Sequence, residues 1–232
     1  MKQLLVNLFD KYKIEYTQEA INKLCSFYDM VIEENKKINL TAITEKNDFA
    51  IKHILDCALV CNLIKKDQML IDIGAGAGFP SIVLKILRPD IKITMIDALN
   101  KRINFLNNVI DKLKLSEIYA IHTRAEDFAL NNRETFDYAI ARAVAGLNTL
   151  CEYCLPFVKV GGEFIAMKSS NYSKELSDAE NSLFILGGKC ESIQNVTIQE
   201  QDTQRYNIVI KKIKTTPNIY PRGKNLPRIK PL

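Results

Sequence analysis

A glycine-rich segment at residues 72–79 constrains the fold of this chain more than any other feature. It reads Asp-Ile-Gly-Ala-Gly-Ala-Gly-Phe and closes a short apolar run at 69–73 that is typical of a buried strand. Glycine lets a chain turn sharply and lets its backbone come close to a ligand. A strand, a glycine turn and a following helix predict the first unit of a parallel α/β sheet.

Strands and helices alternate after this turn. The pattern predicts strands at 91–96, 118–122, 136–141 and 163–168, and helices at 100–114 and around 173–186. Two last apolar runs, near 189–199 and 206–213, predict a closing antiparallel hairpin. The sequence therefore predicts a doubly wound α/β fold whose sheet is mostly parallel and covered on both faces.

The two ends of the chain differ from this pattern. Residues 1–66 have helical periodicity, and Thr17 is a candidate N-cap for the second helix. Residues 214–232 are basic and hold four of the seven prolines, so we expect them to be extended and not helical. We therefore predict a helical cap at 1–66, an α/β domain at 67–213 and a basic, proline-rich tail at 214–232.

Composition narrows the class of protein. The chain is 47% hydrophobic and 25% charged, which is typical of a soluble globular domain. Asn7 and Asp10 interrupt the N-terminal apolar run and argue against a signal peptide. No apolar stretch approaches the length that crosses a bilayer, so we expect a cytoplasmic protein with no membrane partner. The net charge of +5 permits a nucleic acid as partner without requiring one.

A Cys-x-x-Cys pair at Cys151 and Cys154 invites a metal or redox interpretation. A zinc site would usually need a second pair at matching spacing. Both residues fall in a predicted amphipathic helix, so we interpret them as buried structural thiols and expect no metal.

The spacing of the glycines separates two classes of ligand. A dinucleotide fingerprint requires a third glycine at position 79, which is Phe79. The observed G-x-G-x-G, with Asp72 two residues before Gly74, is the form of the first methyltransferase motif and suits a methionine moiety and a ribose. Asp97 ends the second predicted strand, where a carboxylate can accept hydrogen bonds from both ribose hydroxyls. An NAD or FAD site and an ordinary βα turn remain the alternatives.

The residues after the fourth predicted strand bear on the methyl acceptor. They read Ala-Arg-Ala at 141–143 and lack the [N/D/S]-P-P-[Y/F] motif that usually accompanies methylation of an amine. Arg142 could hold a phosphate or donate two hydrogen bonds to N7 and O6 of guanine, with a structural salt bridge as the alternative. Ring N7 carries a lone pair and no proton, so transfer to it mainly requires alignment of the reacting atoms.

Six segments, taken in order, resemble one family. They are Asn39–Thr44, Lys52–Asp56, Asp72–Pro80, Arg124–Glu126, Ala141–Ala143 and Tyr220–Arg222. That family is RsmG, also called GidB, the bacterial methyltransferases that make 7-methylguanosine in small-subunit (16S) ribosomal RNA. The resemblance covers nearly the whole chain. It implies a Rossmann-like class I methyltransferase sheet, S-adenosylmethionine as cofactor, and 16S rRNA or the small ribosomal subunit as partner. We expect a monomer.

The resemblance also assigns roles to residues. Those expected near the transferred methyl and the target guanine are Arg142, Asn39 and His53. Those expected around the cofactor are Gly74, Gly76, Phe79, Asp97, Ala125, Glu126 and, again, Arg142. Those expected to hold RNA phosphates are Lys101, Arg124, Lys168 and Arg205, to which the basic tail adds Arg222.

Three other functions remain open at this point. A methyltransferase that acts on a small molecule or a protein would show little dependence on salt. An NAD-dependent oxidoreductase would change nicotinamide absorbance. A ribosome-associated binding protein would retain RNA affinity and transfer no methyl group.

Overall fold

The computed structural model describes residues 1–200 and 204–232. Within these residues, the strands of one sheet are β1 (Met69–Ile73), β2 (Lys92–Asp97), β3 (Ile118–His122), β4 (Phe136–Arg142), β5 (Val158–Ser169), β6 (Gly188–Val196) and β7 (Arg205–Lys212). They lie in the order β3-β2-β1-β4-β5-β7-β6. Strands β1 to β5 pair in parallel, and β7 pairs antiparallel with both β5 and β6. The predicted mostly parallel sheet with an antiparallel C-terminal hairpin is confirmed.

Helices surround this sheet. The described residues form α1 (Lys2–Lys11), α2 (Gln18–Asn35), α3 (Lys46–Phe49), α4 (Asp56–Ala58), α5 (Ser81–Leu87), α6 (Asn100–Leu113), α7 (Ala125–Phe128), α8 (Leu147–Cys154), α9 (Tyr172–Asp178), α10 (Glu180–Leu186) and α11 (Leu226–Ile229). A π-helical segment, Ala50–Leu55, joins α3 to α4, and short 3-10 helices lie at Cys61–Leu63 and Leu155–Phe157. None of the described helices is long and apolar enough to cross a membrane.

Two hydrophobic cores lie on the two faces of the sheet. Successive side chains of a strand point to opposite faces, so Leu70 joins one core and Ile71 the other. The first core contains buried residues of α1, α2, α5 and α6. There Phe27 and Phe49 pack against Phe79, and their ring centroids lie 5.2 Å and 5.6 Å, respectively, from the centroid of the Phe79 ring. The N-terminal helices and the sheet therefore share one core.

A local signal in the sequence explains where α2 begins. The side chain of Thr17 accepts a hydrogen bond from Ala20 N at 3.1 Å, which satisfies an otherwise unpaired N–H in the first turn of α2.

Cys151 and Cys154 are fully buried on α8, as the sequence predicted. Burial raises the pKa of the Cys151 thiol to about 12, so this thiol is unreactive.

Three elements differ from the sequence prediction. Strand β5 begins five residues earlier than expected, because the 161–162 glycine pair lies inside it at an irregularity in its pairing with β4. The helix expected at 173–186 is two helices, α9 and α10. The prediction that the tail is not helical is wrong at α11, where Pro227 lies in the first turn and so costs no intrahelical hydrogen bond.

Candidate active site

A cavity of about 620 Å³ lies at the carboxyl ends of β1, β2 and β4. Its walls come from the glycine turn after β1, the residues that follow β2 and β3, the loop after β4, helix α8 and the C-terminal tail. The chain builds the sheet outward from β1 in one direction through β2 and β3, and in the other direction from β4, so the strand order changes direction between β1 and β4. A crevice at such a point is the usual ligand site of an open α/β sheet. The volume is in the range of small-molecule and cofactor pockets.

The glycine turn forms one wall of this cavity. Gly74 and Gly76 have φ of +75° and +58°, which is a left-handed conformation that other residues adopt at a cost. A Cβ on Gly74 would come within 2.8 Å of Val144 Cγ2, in the loop after β4. A Cβ on Gly76 would meet nothing closer than 3.8 Å, so the backbone there is open to a ligand.

Asp97 ends β2 and lines the same cavity. Its Oδ2 accepts hydrogen bonds from Gly76 N at 3.0 Å and from Arg102 Nη1 at 3.2 Å, and its Oδ1 accepts one from Leu99 N at 2.9 Å. These bonds fix the carboxylate in one orientation. Arg102 also lines the cavity and was not predicted from the sequence, which singled out its neighbour Lys101 as an RNA-phosphate contact. Charge alone does not show which of two consecutive helix residues faces the cavity.

The cavity fits an adenosine that carries a short polar chain. The carboxylate of Asp97 stands at the strand end where a ribose is held in such sheets. Ala125, Glu126 and Gly74, which the resemblance places around the cofactor, line the same cavity, and their contact with a cofactor stays a prediction. Phe79 lies elsewhere, buried in the aromatic cluster beneath the glycine turn.

Arg142 ends β4 and is enclosed by the π-helical segment of the N-terminal region. Its Nη2 donates to the carbonyl of Lys52 at 2.9 Å and to Nδ1 of His53 at 2.7 Å. Its Nη1 donates to Sγ of Cys57 at 3.1 Å and lies 3.5 Å from Oδ2 of Asp56. The side chain keeps 13% of its surface exposed. The alternative of a structural ion pair is therefore present in the structure, and both terminal nitrogens of Arg142 already donate hydrogen bonds.

The protonation of His53 follows from these contacts. A guanidinium only donates hydrogen bonds, so Nδ1 of His53 accepts, and the ring proton is on Nε2. Nε2 then donates to Oγ1 of Thr41 at 2.8 Å. Burial and the adjacent charge of Arg142 lower the pKa of His53 to about 3, so the ring is neutral. The ring also stacks on Phe79, with centroids 4.4 Å apart. His53 therefore orients Arg142 and has no unoccupied acceptor nitrogen.

The loop before the π-helical segment is held by Asn35, which sequence reasoning did not select. Its Oδ1 accepts from Leu40 N at 2.7 Å and from Thr41 N at 2.9 Å, and its Nδ2 donates to the carbonyl of Thr41 at 3.0 Å. Asn39 lies in this loop with an exposed side chain. The structure thus brings His53 and Arg142 into contact and leaves Asn39 at the surface, and a role for Asn39 stays a prediction.

A buried carboxyl lies under the glycine turn. Asp72 is fully enclosed, and its Oδ2 accepts a hydrogen bond from Ser81 Oγ at 2.7 Å. Its Oδ1 has no partner among the described residues. Burial raises the pKa of Asp72 to about 7, so the carboxyl is partly protonated at neutral pH.

The five basic residues predicted to hold RNA phosphates have different surroundings. Lys101 and Arg124 are exposed, and Arg124 also lines the cavity. Lys168 is buried and donates to the Ala145 carbonyl at 2.7 Å and to Oε2 of Glu175 at 2.6 Å. Phosphate contact by these residues stays a prediction, and for Lys168 it would require that its ammonium leave Glu175.

The other two lie on β7 and in the tail. Arg205 begins β7, paired with Ser169 at the carboxyl end of β5, and its charge helps to lower the pKa of His53. Arg222 forms a two-bond ion pair with buried Glu152, through Nε at 2.9 Å and Nη2 at 2.7 Å. Arg205 is therefore near the group of contacts between Arg142, His53, Asp56 and Cys57, here called the Arg142 cluster, whereas Arg222 anchors the tail.

Comparisons with known proteins agree with this geometry. A family model described as GidB, rRNA small subunit methyltransferase G, matches residues 20–205. Proteins named ribosomal RNA small subunit methyltransferase G are similar over the whole length. The one from Clostridium perfringens is 43% identical, covering 99% of this chain and 98% of its own. The one from Alkaliphilus oremlandii is 44% identical, covering 100% and 99%.

Solved structures show the same fold at low identity. TYW2 of Pyrococcus horikoshii, in complex with MeSAdo, superposes with a TM-score of 0.57 at 13% identity, over 70% of this chain and 63% of its own. An rRNA methylase from Streptococcus thermophilus gives a TM-score of 0.51 at 15% identity, over 69% and 95%. At these identities the likeness extends to the fold alone.

Proposed function

The chain belongs to the rRNA small subunit methyltransferase G family, and from that premise we propose that it transfers a methyl group from S-adenosylmethionine to N7 of a guanine in 16S ribosomal RNA. The observation that carries the proposal is the adjacency, at one sheet edge, of a nucleoside-sized cavity at Asp97 and a buried arginine cluster at Arg142. With ribosomal RNA as substrate, we expect the enzyme in the cytoplasm.

The residues of the cavity divide the work of holding the cofactor. Asp97 would accept the ribose hydroxyls, Ala125 and Glu126 would lie beside the adenine, and Gly74 would face the methionine end, with the uncrowded backbone of Gly76 next to it. The cofactor supplies a methyl group on a sulfonium, which a neutral lone pair can accept. Three hydrogen bonds already hold the carboxylate of Asp97, so little side-chain conformational entropy is lost when a ligand binds to it.

The Arg142 cluster favours an acceptor that needs no deprotonation. His53 is neutral, and its one acceptor nitrogen is occupied by Arg142. Burial raises the pKa of the Cys57 thiol to about 12, so the thiolate is excluded at neutral pH. Neither group is suited to remove a proton or to attack a pyrimidine. Methylation of guanine N7 requires neither step. An arginine held beside the base can donate a hydrogen bond to O6, the acceptor next to N7.

The test uses small-subunit RNA from cells that lack this protein, offered both naked and as whole subunits. Purified enzyme and methyl-labelled S-adenosylmethionine are added, and label is mapped by cleavage at 7-methylguanosine. We expect label at one guanine. Label in RNA that resists this cleavage would keep rRNA methylation and overturn the N7 assignment. No label in any RNA, with cofactor still bound, would point to a different acceptor.

A variant of Arg142 links the reaction to the cluster. Arg142→Lys keeps the charge and loses the planar arrangement that reaches His53, Cys57 and the Lys52 carbonyl together. We expect at least a hundredfold loss of kcat, with the affinity for S-adenosylhomocysteine retained as evidence of an intact fold. Lys66→Ala, at an exposed lysine away from the cluster, is the control. Wild-type kcat in Arg142→Lys would remove Arg142 from the reaction.

A further inference from the structure

The tail, residues 214–232, is docked onto the α/β domain by several buried contacts. Arg222 pairs with Glu152, which is fully buried on α8. Thr149, also on α8, donates through Oγ1 to the carbonyl of Pro227 at 2.9 Å. Arg133 donates to the carbonyl of Thr216 at 2.9 Å. These bonds fix the path of the tail along α8.

This path brings two tail side chains to the cavity. Asn225 and Arg228 line it together with Tyr153, which projects from α8. Nη2 of Arg228 donates to the carbonyl of Val144 at 3.0 Å. Val144 is the residue that packs against Gly74 of the glycine turn. The tail thus closes a side of the cavity and holds the loop that the glycine turn contacts.

We propose that the tail is a wall of the cofactor site and that Asn225 and Arg228 bind the adenosine end of the cofactor. The proposal rests on the proposed function, since it takes the cavity to be the S-adenosylmethionine site. An asparagine amide both donates and accepts, which matches the edge of adenine. A guanidinium plane stacks on a base. Asn225 and Arg228 share the cavity with Asp97 and Glu126, the residues placed at the ribose and the adenine.

The charge of the tail does not by itself make it an RNA contact. The Arg222 guanidinium is taken by Glu152 and by the carbonyl of Lys230, at 2.9 Å. Arg228 is turned toward Val144. Lys224 and Lys230 have exposed side chains. Of the five cations of the tail, Arg222 and Arg228 therefore donate hydrogen bonds to the domain and Lys214 lies over the ring of Phe184. Of these, Arg228 lines the cavity.

The test is calorimetric titration with S-adenosylhomocysteine, a ligand that undergoes no reaction. Asn225→Gly removes the amide and tolerates the left-handed φ of +59° at this position, and Arg228→Ala removes the guanidinium. We expect each to raise Kd about tenfold, which corresponds to about 1.4 kcal/mol. Lys230→Ala removes the same charge from an exposed side chain of the tail and should change Kd less than twofold. Thermal unfolding of each variant verifies that the fold is retained.

A second ligand locates the contact. 5′-Methylthioadenosine has the nucleoside without the amino acid, so both variants should lose affinity for it by the same factor. Loss for S-adenosylhomocysteine alone would overturn the adenosine assignment. Unchanged affinity for both ligands, with weaker binding to rRNA, would overturn the proposal in favour of an RNA contact. If the wild-type protein binds neither ligand, the proposed function fails at its cofactor and the tail proposal fails with it.

Discussion

Replacing His53 by glutamine should remove a pH-dependent loss of stability. His53 is 7% exposed, and its pKa is lowered to about 3 in the folded protein. In the unfolded chain an imidazole has a pKa of about 6.5. Between these two values the unfolded state binds a proton and the folded state does not. Stability therefore falls as the pH falls below about 6.5. Glutamine presents an acceptor to Arg142 and a donor to Thr41 without titrating.

The size of this effect follows from the separation of the two pKa values. The unfolded imidazole is almost fully protonated at pH 5, because this pH is about 1.5 units below its pKa. This protonation stabilises the unfolded state and lowers the free energy of unfolding by about 2 kcal/mol. At pH 8 the cost is absent. The difference in unfolding free energy between wild type and His53→Gln should therefore shift by about 2 kcal/mol between pH 8 and pH 5, in favour of the variant.

Asp72 makes the comparison with a variant necessary. Its pKa is raised to about 7, so the folded protein takes up a proton on this carboxyl as the pH falls through 7. In the unfolded chain the same carboxyl has a pKa of 3.8 and is protonated only near that pH. The contribution of Asp72 to stability thus rises as the pH falls from 7 to 4, by about 3 kcal/mol at pH 5. The two buried groups oppose each other over the same range. The wild-type profile alone can look flat while both effects are present.

The measurement is urea unfolding followed by far-ultraviolet circular dichroism, at several pH values from 8 to 5. The other histidine of the chain, His122, is exposed, and His122→Gln provides the baseline for loss of an imidazole. If the difference between wild type and His53→Gln is the same at pH 8 and pH 5, His53 protonates freely in the folded protein. Burial and the charge of Arg142 would then not be enough to keep His53 neutral.

Two further predictions concern the cavity. Gly74→Ala should destabilise the protein by about 2–4 kcal/mol, because φ is +75° and the new Cβ would lie 2.8 Å from Val144 Cγ2. Adding Val144→Ala should recover the contact part of this loss in urea unfolding, and no recovery would locate the strain elsewhere. Asp97→Asn should weaken S-adenosylhomocysteine binding by about 10- to 100-fold in calorimetry, since an amide nitrogen must then face N–H donors at Gly76 or Leu99. Lys101→Ala is the matched control, and equal affinities in the two variants would contradict the role of Asp97.

Much of the scaffold could be predicted because its signals are local. The bounds of β1 and β3 agree with the apolar runs at 69–73 and 118–122. Thr17 caps α2 through a hydrogen bond that spans three residues. Asp97 lines the cavity because the end of one parallel strand lies beside the turn of its neighbour, which follows from the alternation of strands and helices. Strand period, capping and glycine turns each depend on a few consecutive residues.

Contacts between distant parts of the chain were decided only by the tertiary structure. Arg142 meets the carbonyl of Lys52 across 90 positions, and with its bond to Cys57 this contact means that both terminal nitrogens of the predicted base reader already donate hydrogen bonds. No local pattern indicated that Asn225 and Arg228 reach the cavity. Such contacts depend on which face of a helix or loop is buried against which neighbour, and that is set by packing of the whole fold. The sequence by itself determined the sheet, its glycine turn and the acid at the end of β2. The tertiary structure decided which polar groups around them are already bonded and which remain for a ligand.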